Sequence, residues 1–159
     1  MHARAMAGIG GLVTARAGKR SGIIGAVHAI LAKAALAPIL IVDDDEGVAL
    51  TFARMLRLEG FVVRTAVSAE IGLRDAAASH PGAIILDLRM PLLDGLGFLR
   101  RLRETDGNRD TPVAIVTGDY FLEEEISAQL HALGAKLLFK PLWLEDLVGL
   151  ARNLLKVTH

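Results

Sequence analysis

Four short apolar runs in this chain end at residues able to do chemistry. ILIV at 39–42 is followed by Asp43, Asp44 and Asp45, and the run at 83–88 ends near Asp87. VAIVT at 113–117 closes on Thr117, and AKLLF at 135–139 is followed by Lys140 and Pro141. Two unit charges about 4 Å apart at an effective dielectric near 20 repel by roughly 4 kcal/mol. Asp43, Asp44 and Asp87 brought together therefore call for a cation. A hard divalent ion that takes oxygen ligands and keeps some of its waters, Mg²⁺, suits them. With Mg²⁺ held by Asp44 and Asp87, one carboxylate is free to act as nucleophile toward a phosphoryl group. Lys140 supplies a point charge for the phosphoryl oxygens, and Thr117 a hydrogen bond to the same group.

The elements that must gather these residues follow from the pattern around them. Continuous apolar runs of four to six residues read as strands buried on both faces. They fall at 39–42, 61–65, 83–88, 113–117 and 135–139. Each is followed by a segment of helical period. Val48, Phe52, Met55 and Leu56 share one face, and Gly60 supplies a stop. Asp45 and Ser68 are placed as N-caps, and the alanines after Ser68 run to His80-Pro81. Phe98, Leu99 and Leu102 follow Asp94; Leu122, Ile126, Leu130 and Leu133 follow Asp119. In the last segment Leu144, Leu147, Val148, Ala151, Leu154 and Leu155 repeat at i, i+3, i+4, i+7, i+10, i+11. Strict βα alternation implies an α/β fold, a parallel sheet covered by helices on both faces. In such a sheet ligands bind beyond the carboxyl ends of the strands, where Asp43, Asp87, Thr117 and Lys140 stand.

Charge and composition divide the chain of 159 residues. Residues 1–37 contain Arg4, Arg16, Lys19, Arg20 and Lys33 and no acid, a net +5. The remainder carries 13 basic and 18 acidic side chains, a net −5, and all the aromatic residues. We therefore divide the chain into a basic Ala/Gly-rich extension, 1–37, disordered or partly helical, and a globular domain, 38–159. A formal net charge of zero argues against direct nucleic-acid binding by the whole chain. With no cysteine, disulfides, thiolate metal sites and a cysteine nucleophile are excluded. Residues 21–37 are apolar enough for a helix, but they fall short of the ~20 residues that span a bilayer. His28 and Lys33 also interrupt them, so neither membrane insertion nor export is expected.

Taken one at a time these features are ordinary: an acid after a strand is often only a helix cap, and a Lys before Pro only solvated. Together, in order and at strand ends, they carry a resemblance. Residues 39–156 closely resemble a response-regulator receiver domain, the phosphoacceptor half of two-component signalling. The matching stretches are ILIVDDDE (39–46), IILDLRMPLLDG (84–95), AIVTGD (114–119) and LLFKP (137–141). The resemblance implies a flavodoxin-like (βα)5 doubly wound sheet of order 2-1-3-4-5. It implies that Asp87 accepts the phosphoryl group and that Mg²⁺ is held by Asp44, Asp87, the carbonyl of Arg89 and, mainly through water, Asp43. Thr117 and Lys140 are implied to move toward the phosphorylated Asp87, and the Lys140–Pro141 peptide to be cis. Arg89 and Asp119 occupy positions that tune the lifetime of the phosphoryl group, and we expect them to pair across the site mouth.

The implied partners are a sensor histidine kinase or histidine phosphotransfer protein and a downstream protein target. The implied place is the cytoplasm. With no output domain after Lys156, a stand-alone receiver is expected to act through its fourth helix, fifth strand and fifth helix or as a phosphate sink. Pairing of that face with a second copy stays open. One departure stands out: the family usually has Tyr or Phe three residues before the Lys, where this chain has Leu137. Phe139 or Tyr120 is the expected substitute. Two alternatives are kept. One is a haloacid-dehalogenase-like phosphatase with Asp43 as nucleophile, although Gly47 stands where that pattern has Thr or Val. The other is an unphosphorylated receiver-like binding module.

Overall fold

The computed structural model describes residues 22–28 and 37–156. The chain divides into two units, residues 1–34 and 35–159. Of the first, a helix over 22–28 is described, with every residue exposed. The rest of the basic extension lies outside the described residues.

The second unit alternates strands and helices. The strands are β1 (Ile39–Val42), β2 (Val63–Ala66), β3 (Ala83–Leu86), β4 (Val113–Thr117) and β5 (Lys136–Phe139). The helices are α1 (Glu46–Leu58), α2 (Ala69–Ser79), α3 (Gly95–Glu104), α4 (Glu124–Ala132) and α5 (Leu144–Lys156). All strand pairs are parallel, in the order β2-β1-β3-β4-β5. The flavodoxin-like topology expected from the alternation is the one observed. Among the described residues no helix is long and apolar enough to cross a membrane.

Period-two alternation sorts the core into two layers. Leu40, Val42, Ile84, Leu86, Val113 and Ile115 pack with α2, α3 and α4. Ile39, Ile41, Ile85, Ala114 and Val116 face α1 and α5. Each fully buried Leu or Ile contributes roughly 1.5–3 kcal/mol. The two layers together fix the register on which the site depends.

Strands β1, β3 and β4 are buried along their whole length. β2 and β5 are not: they form the two edges of the sheet, β2 buried only at its end residues Val63 and Ala66, and β5 partly buried at Leu137 and Leu138 and exposed at Lys136 and Phe139. The expectation of burial on both faces is corrected for these two. The strand read at 61–65 begins two residues later, because the Phe61 backbone is spent on closing the carboxyl end of α1. Its N–H donates to the Leu56 carbonyl at 3.1 Å. The strand read at 83–88 ends at Leu86, which leaves Asp87 just past it.

Helix starts follow their caps. Asp45, Ser68 and Asp94 accept hydrogen bonds from the N–H groups of Val48, Ile71 and Gly97. Such caps stabilise a helix by about 0.5–2 kcal/mol each. α4 differs: it starts at Glu124, with no side-chain cap on Glu123. Asp119, from which the helical pattern had been counted, is engaged elsewhere.

Candidate functional site

The site sits where backbone pairing ends. The N–H of Asp43 donates to the Ala66 carbonyl at 3.1 Å, and the N–H of Asp87 to the Val42 carbonyl at 2.8 Å. The N–H of Lys140 donates to the Thr117 carbonyl at 2.8 Å. Each of these residues thus extends the ladder by one step beyond its strand. Their backbones are as fixed as the sheet, and only the side chains project into the space above it.

Asp43, Asp87 and Thr117 are buried, while Asp44 is exposed. Asp43, Asp44 and Asp87 each offer a carboxylate oxygen within 4.8 Å of the others. Across from them the Lys140 ammonium donates to Asp43 Oδ2 at 2.9 Å and forms an ion pair with Asp87 Oδ1 at 3.5 Å. The sequence expectation that these strand ends form one cluster therefore holds for Asp43, Asp44, Asp87 and Lys140. The Lys140–Pro141 peptide is cis.

One cation faces three anions, and the titration behaviour reflects it. Burial pushes the Asp87 carboxyl up from 3.8 to about 6; Lys140 opposes this, and the charges of Asp43 and Asp44 add to it. Burial pulls the Lys140 amine down. Its hydrogen bond to Asp43 and the charges of Asp87 and Asp43 outweigh that and hold it above the usual lysine value. A group of hard oxygen ligands with excess negative charge fits a divalent cation such as Mg²⁺.

The two buried carboxylates are engaged differently. Asp43 uses both oxygens: Oδ1 accepts the Asp45 N–H at 2.9 Å and Oδ2 accepts Lys140. Asp87 makes only the long contact to Lys140. It is the less committed of the two.

Thr117 accepts the Asp119 N–H on Oγ1 at 3.1 Å. Asp119 in turn accepts from Arg89 Nε at 3.0 Å and from the Phe121 N–H at 3.1 Å. These two bonds hold its carboxyl below the usual carboxylate range. The expected Arg89–Asp119 pair is present, at the outer rim of the site.

Two features escape a reading of the sequence. A Cβ on Gly95 would lie 2.5 Å from the Asp87 carbonyl oxygen and 2.9 Å from Leu88 Cα. α3 therefore begins directly against the backbone of Asp87, and its first residue must be glycine. The only signal was an Asp-Gly pair, Asp94-Gly95, ahead of an apolar helix. The second is register: Phe139 pairs with Thr117 across β4 and β5, whereas Leu137 pairs with Ile115. Leu137, partly buried, packs against the core layer beneath, and Phe139 is the aromatic register partner of Thr117.

Known proteins agree with this architecture. The response regulator receiver domain family matches residues 39–152. The transcriptional regulatory protein PrrA of Mycobacterium bovis is 39% identical over 118 residues, 74% of this chain and 49% of that protein. Response regulator MprA of Mycobacterium ulcerans is 38% identical over 120 residues, 76% of this chain and 50% of its own length. The chain thus spans about half the length of the curated relatives it matches. The chemotaxis protein CheY4 of Vibrio cholerae superposes with a TM-score of 0.69 at 27% identity, covering 76% of this chain and 99% of that one. Fold, rim chemistry and relatives converge: the chain belongs to the response regulator receiver domain family, a family of signalling domains rather than enzymes in the usual sense.

Proposed function

We propose that this chain is a phosphoacceptor switch in which Asp87 takes a phosphoryl group from a sensor histidine kinase or a histidine phosphotransfer protein. An Asp87 carboxylate oxygen forms a bond to phosphorus as the bond from phosphorus to the donor's imidazole nitrogen breaks. The electron pair stays on that nitrogen, which takes up a proton from solvent, and Asp87 becomes an acyl phosphate. The observation that carries this reading is the difference between the two buried carboxylates. Asp43 is held through both oxygens, while Asp87 faces Lys140 at 3.5 Å with little else to hold it. The same difference counts against Asp43 as nucleophile and so against the phosphatase alternative.

Mg²⁺, held by Asp43, Asp44, Asp87 and the Arg89 carbonyl, supplies Lewis-acid neutralisation of the phosphoryl oxygens when bound. Lys140 stands ready as the fixed cation on the opposite side. Its ammonium loses little on exchanging a carboxylate partner for a phosphoryl oxygen, because both bonds are charge-assisted. Thr117 offers its hydroxyl from the neighbouring strand end. Phosphorylation adds about −1.5 to −2 charges, enough to draw both groups toward Asp87.

The consequence is read on the α4-β5-α5 face, where a broad groove is lined by Ala128, His131, Leu137, Leu142 and Leu150 among others. A protein target docking there, or use of the domain as a phosphate sink, is the output we propose, in the cytoplasm. The expectation of no direct nucleic-acid partner is not carried forward. It rested on the charge of this chain alone, whereas a relative twice as long is named a transcriptional regulatory protein.

Intact mass after exposure to acetyl phosphate and Mg²⁺ tests the reading. Wild type gains one phosphoryl group, and the gain is lost with EDTA and in Asp87→Asn. No gain in wild type would leave a receiver-like binding module. A gain that survives Asp87→Asn and disappears in Asp43→Asn would move the nucleophile to β1.

A further inference from the structure

The loop between β4 and α4 touches the chain at both switch residues. Asp119 donates its N–H to Thr117 Oγ1 at 3.1 Å, and its carboxylate accepts the Phe121 N–H at 3.1 Å. Tyr120 lies between these two anchored residues. Its ring stacks on Phe139, with centroids 5.7 Å apart and planes 18° from parallel. Its hydroxyl donates to the backbone carbonyl of Lys140. Phe139 is the register partner of Thr117, and the Lys140 N–H donates to the Thr117 carbonyl at 2.8 Å. Tyr120 is therefore tied to Thr117 through the loop and to Lys140 through the carbonyl, with the stack between.

This arrangement has a mechanical consequence. Thr117 is fully buried, and its hydroxyl oxygen already holds the Asp119 N–H. For Thr117 to turn toward a phosphoryl group on Asp87, that bond must break or the loop must follow. Either way Asp119 moves, and Tyr120 with it. At the other end the residue that Tyr120 grips is Lys140, the second group drawn to the phosphoryl. The stack is exposed enough to give way: Tyr120 is 61% and Phe139 40% exposed. Stacked rings hold each other only weakly beyond their buried area, so the stack can follow a displacement of either anchor.

We propose that Tyr120, clasped between Phe139 and the Lys140 carbonyl, is the side chain that converts phosphorylation of Asp87 into a change at the start of α4. Leu137, partly buried, pairs with Ile115 and not with Thr117. The proposal rests on the phosphoacceptor reading above.

The chain contains a single tyrosine, so 3-fluorotyrosine labelling gives one ¹⁹F resonance that belongs to Tyr120. Acetyl phosphate with Mg²⁺ is expected to move that resonance by more than its line width while the intact mass rises by one phosphoryl group. In Asp87→Asn neither change occurs. In Phe139→Leu the mass still rises, but the displacement shrinks, because the ring is no longer clasped. A mass gain with the resonance unmoved would overturn the role of Tyr120 and leave Asp87 as phosphoacceptor. A displacement as large in Phe139→Leu as in wild type would show only the electric field of the new charge, and would also overturn it. Absence of any mass gain would remove the phosphoacceptor reading and this inference together.

Discussion

At the amino-terminal edge of the sheet, Arg103 donates to the carbonyls of Leu133, Arg109 and Thr111 at 2.9, 3.0 and 2.7 Å. Beside it the buried Asn108 donates to the Ala76 carbonyl at 3.0 Å and accepts from Thr111 at 3.3 Å. This cluster ties the end of α2, the α3–β4 loop and the α4–β5 loop together. At the carboxyl-terminal edge the single ammonium of Lys140 faces Asp43, Asp44 and Asp87. Both edges hold buried polar groups, but they are balanced differently. The amino edge pairs one cation with neutral acceptors already placed by the backbone. The carboxyl edge is left with more negative charge than its own cation can offset. A satisfied network serves the fold, whereas an unbalanced one costs stability and waits for a partner.

That contrast predicts opposite signs for substitutions at the two edges. Arg103→Met is expected to destabilise the domain by about 2–4 kcal/mol, since it strands carbonyls that the guanidinium satisfies. Urea unfolding measures this, and the folded fraction should still accept a phosphoryl group. A loss below about 0.5 kcal/mol would show that water replaces the guanidinium, and the two edges would no longer differ in kind.

Asp87→Asn is expected to do the reverse. The Asp87 carboxyl is raised to about 6 in the folded chain, so the folded state holds that proton more tightly than the unfolded state. Wild type therefore loses stability as pH rises from about 4 through 6. In metal-free buffer the Asn variant should match wild type near pH 3 and exceed it by about 1–3 kcal/mol at pH 7. Added Mg²⁺ should narrow the gap by stabilising wild type alone. A gap independent of pH would remove the electrostatic strain from the account of the site.

The legibility of the sequence divides along similar lines. β1 and β4 were readable to the residue because each is a continuous apolar run, in the middle of the sheet, ended by a polar residue or Gly118. The caps at Asp45 and Ser68 were readable because capping is local, whereas the Asp94 cap shows only in the structure. β2 and β5 were less so. An edge strand is half exposed, and Phe61-Val62 continues the apolar run although Phe61 still caps the end of α1. The start of α4 was not fixed by the apolar pattern after Asp119: the helix begins at Glu124, and the Asp119 carboxylate is spent on Arg89 and the Phe121 N–H. For the site, residue types at strand ends were enough to gather Asp43, Asp44, Asp87 and Lys140, whereas the Thr117 hydroxyl is engaged by the Asp119 N–H. What sequence could not show was commitment. That both oxygens of Asp43 are taken, or that Phe139 and not Leu137 lies beside Thr117, depends on distances and register.

The Arg89–Asp119 pair lies at the border of this comparison and should give the smallest effect. It is a surface contact, with the Arg89 side chain 54% exposed, and solvent screens such pairs so that they contribute little to stability. Arg89→Ala should therefore leave the unfolding midpoint nearly unchanged. We expect its effect to be kinetic, because the resemblance implies that Arg89 and Asp119 tune the lifetime of a phosphoryl group on Asp87. Removing Arg89 is expected to speed loss of the phosphoryl group modestly, by up to about fivefold. Because Asp119 is held below the usual carboxylate range, the pair is lost only as pH falls under that range. The rate ratio between variant and wild type should then be constant from pH 5 to 8, as followed by intact mass over time. A ratio of one at every pH would place Arg89 with the solvated surface and leave control of hydrolysis to the buried groups alone.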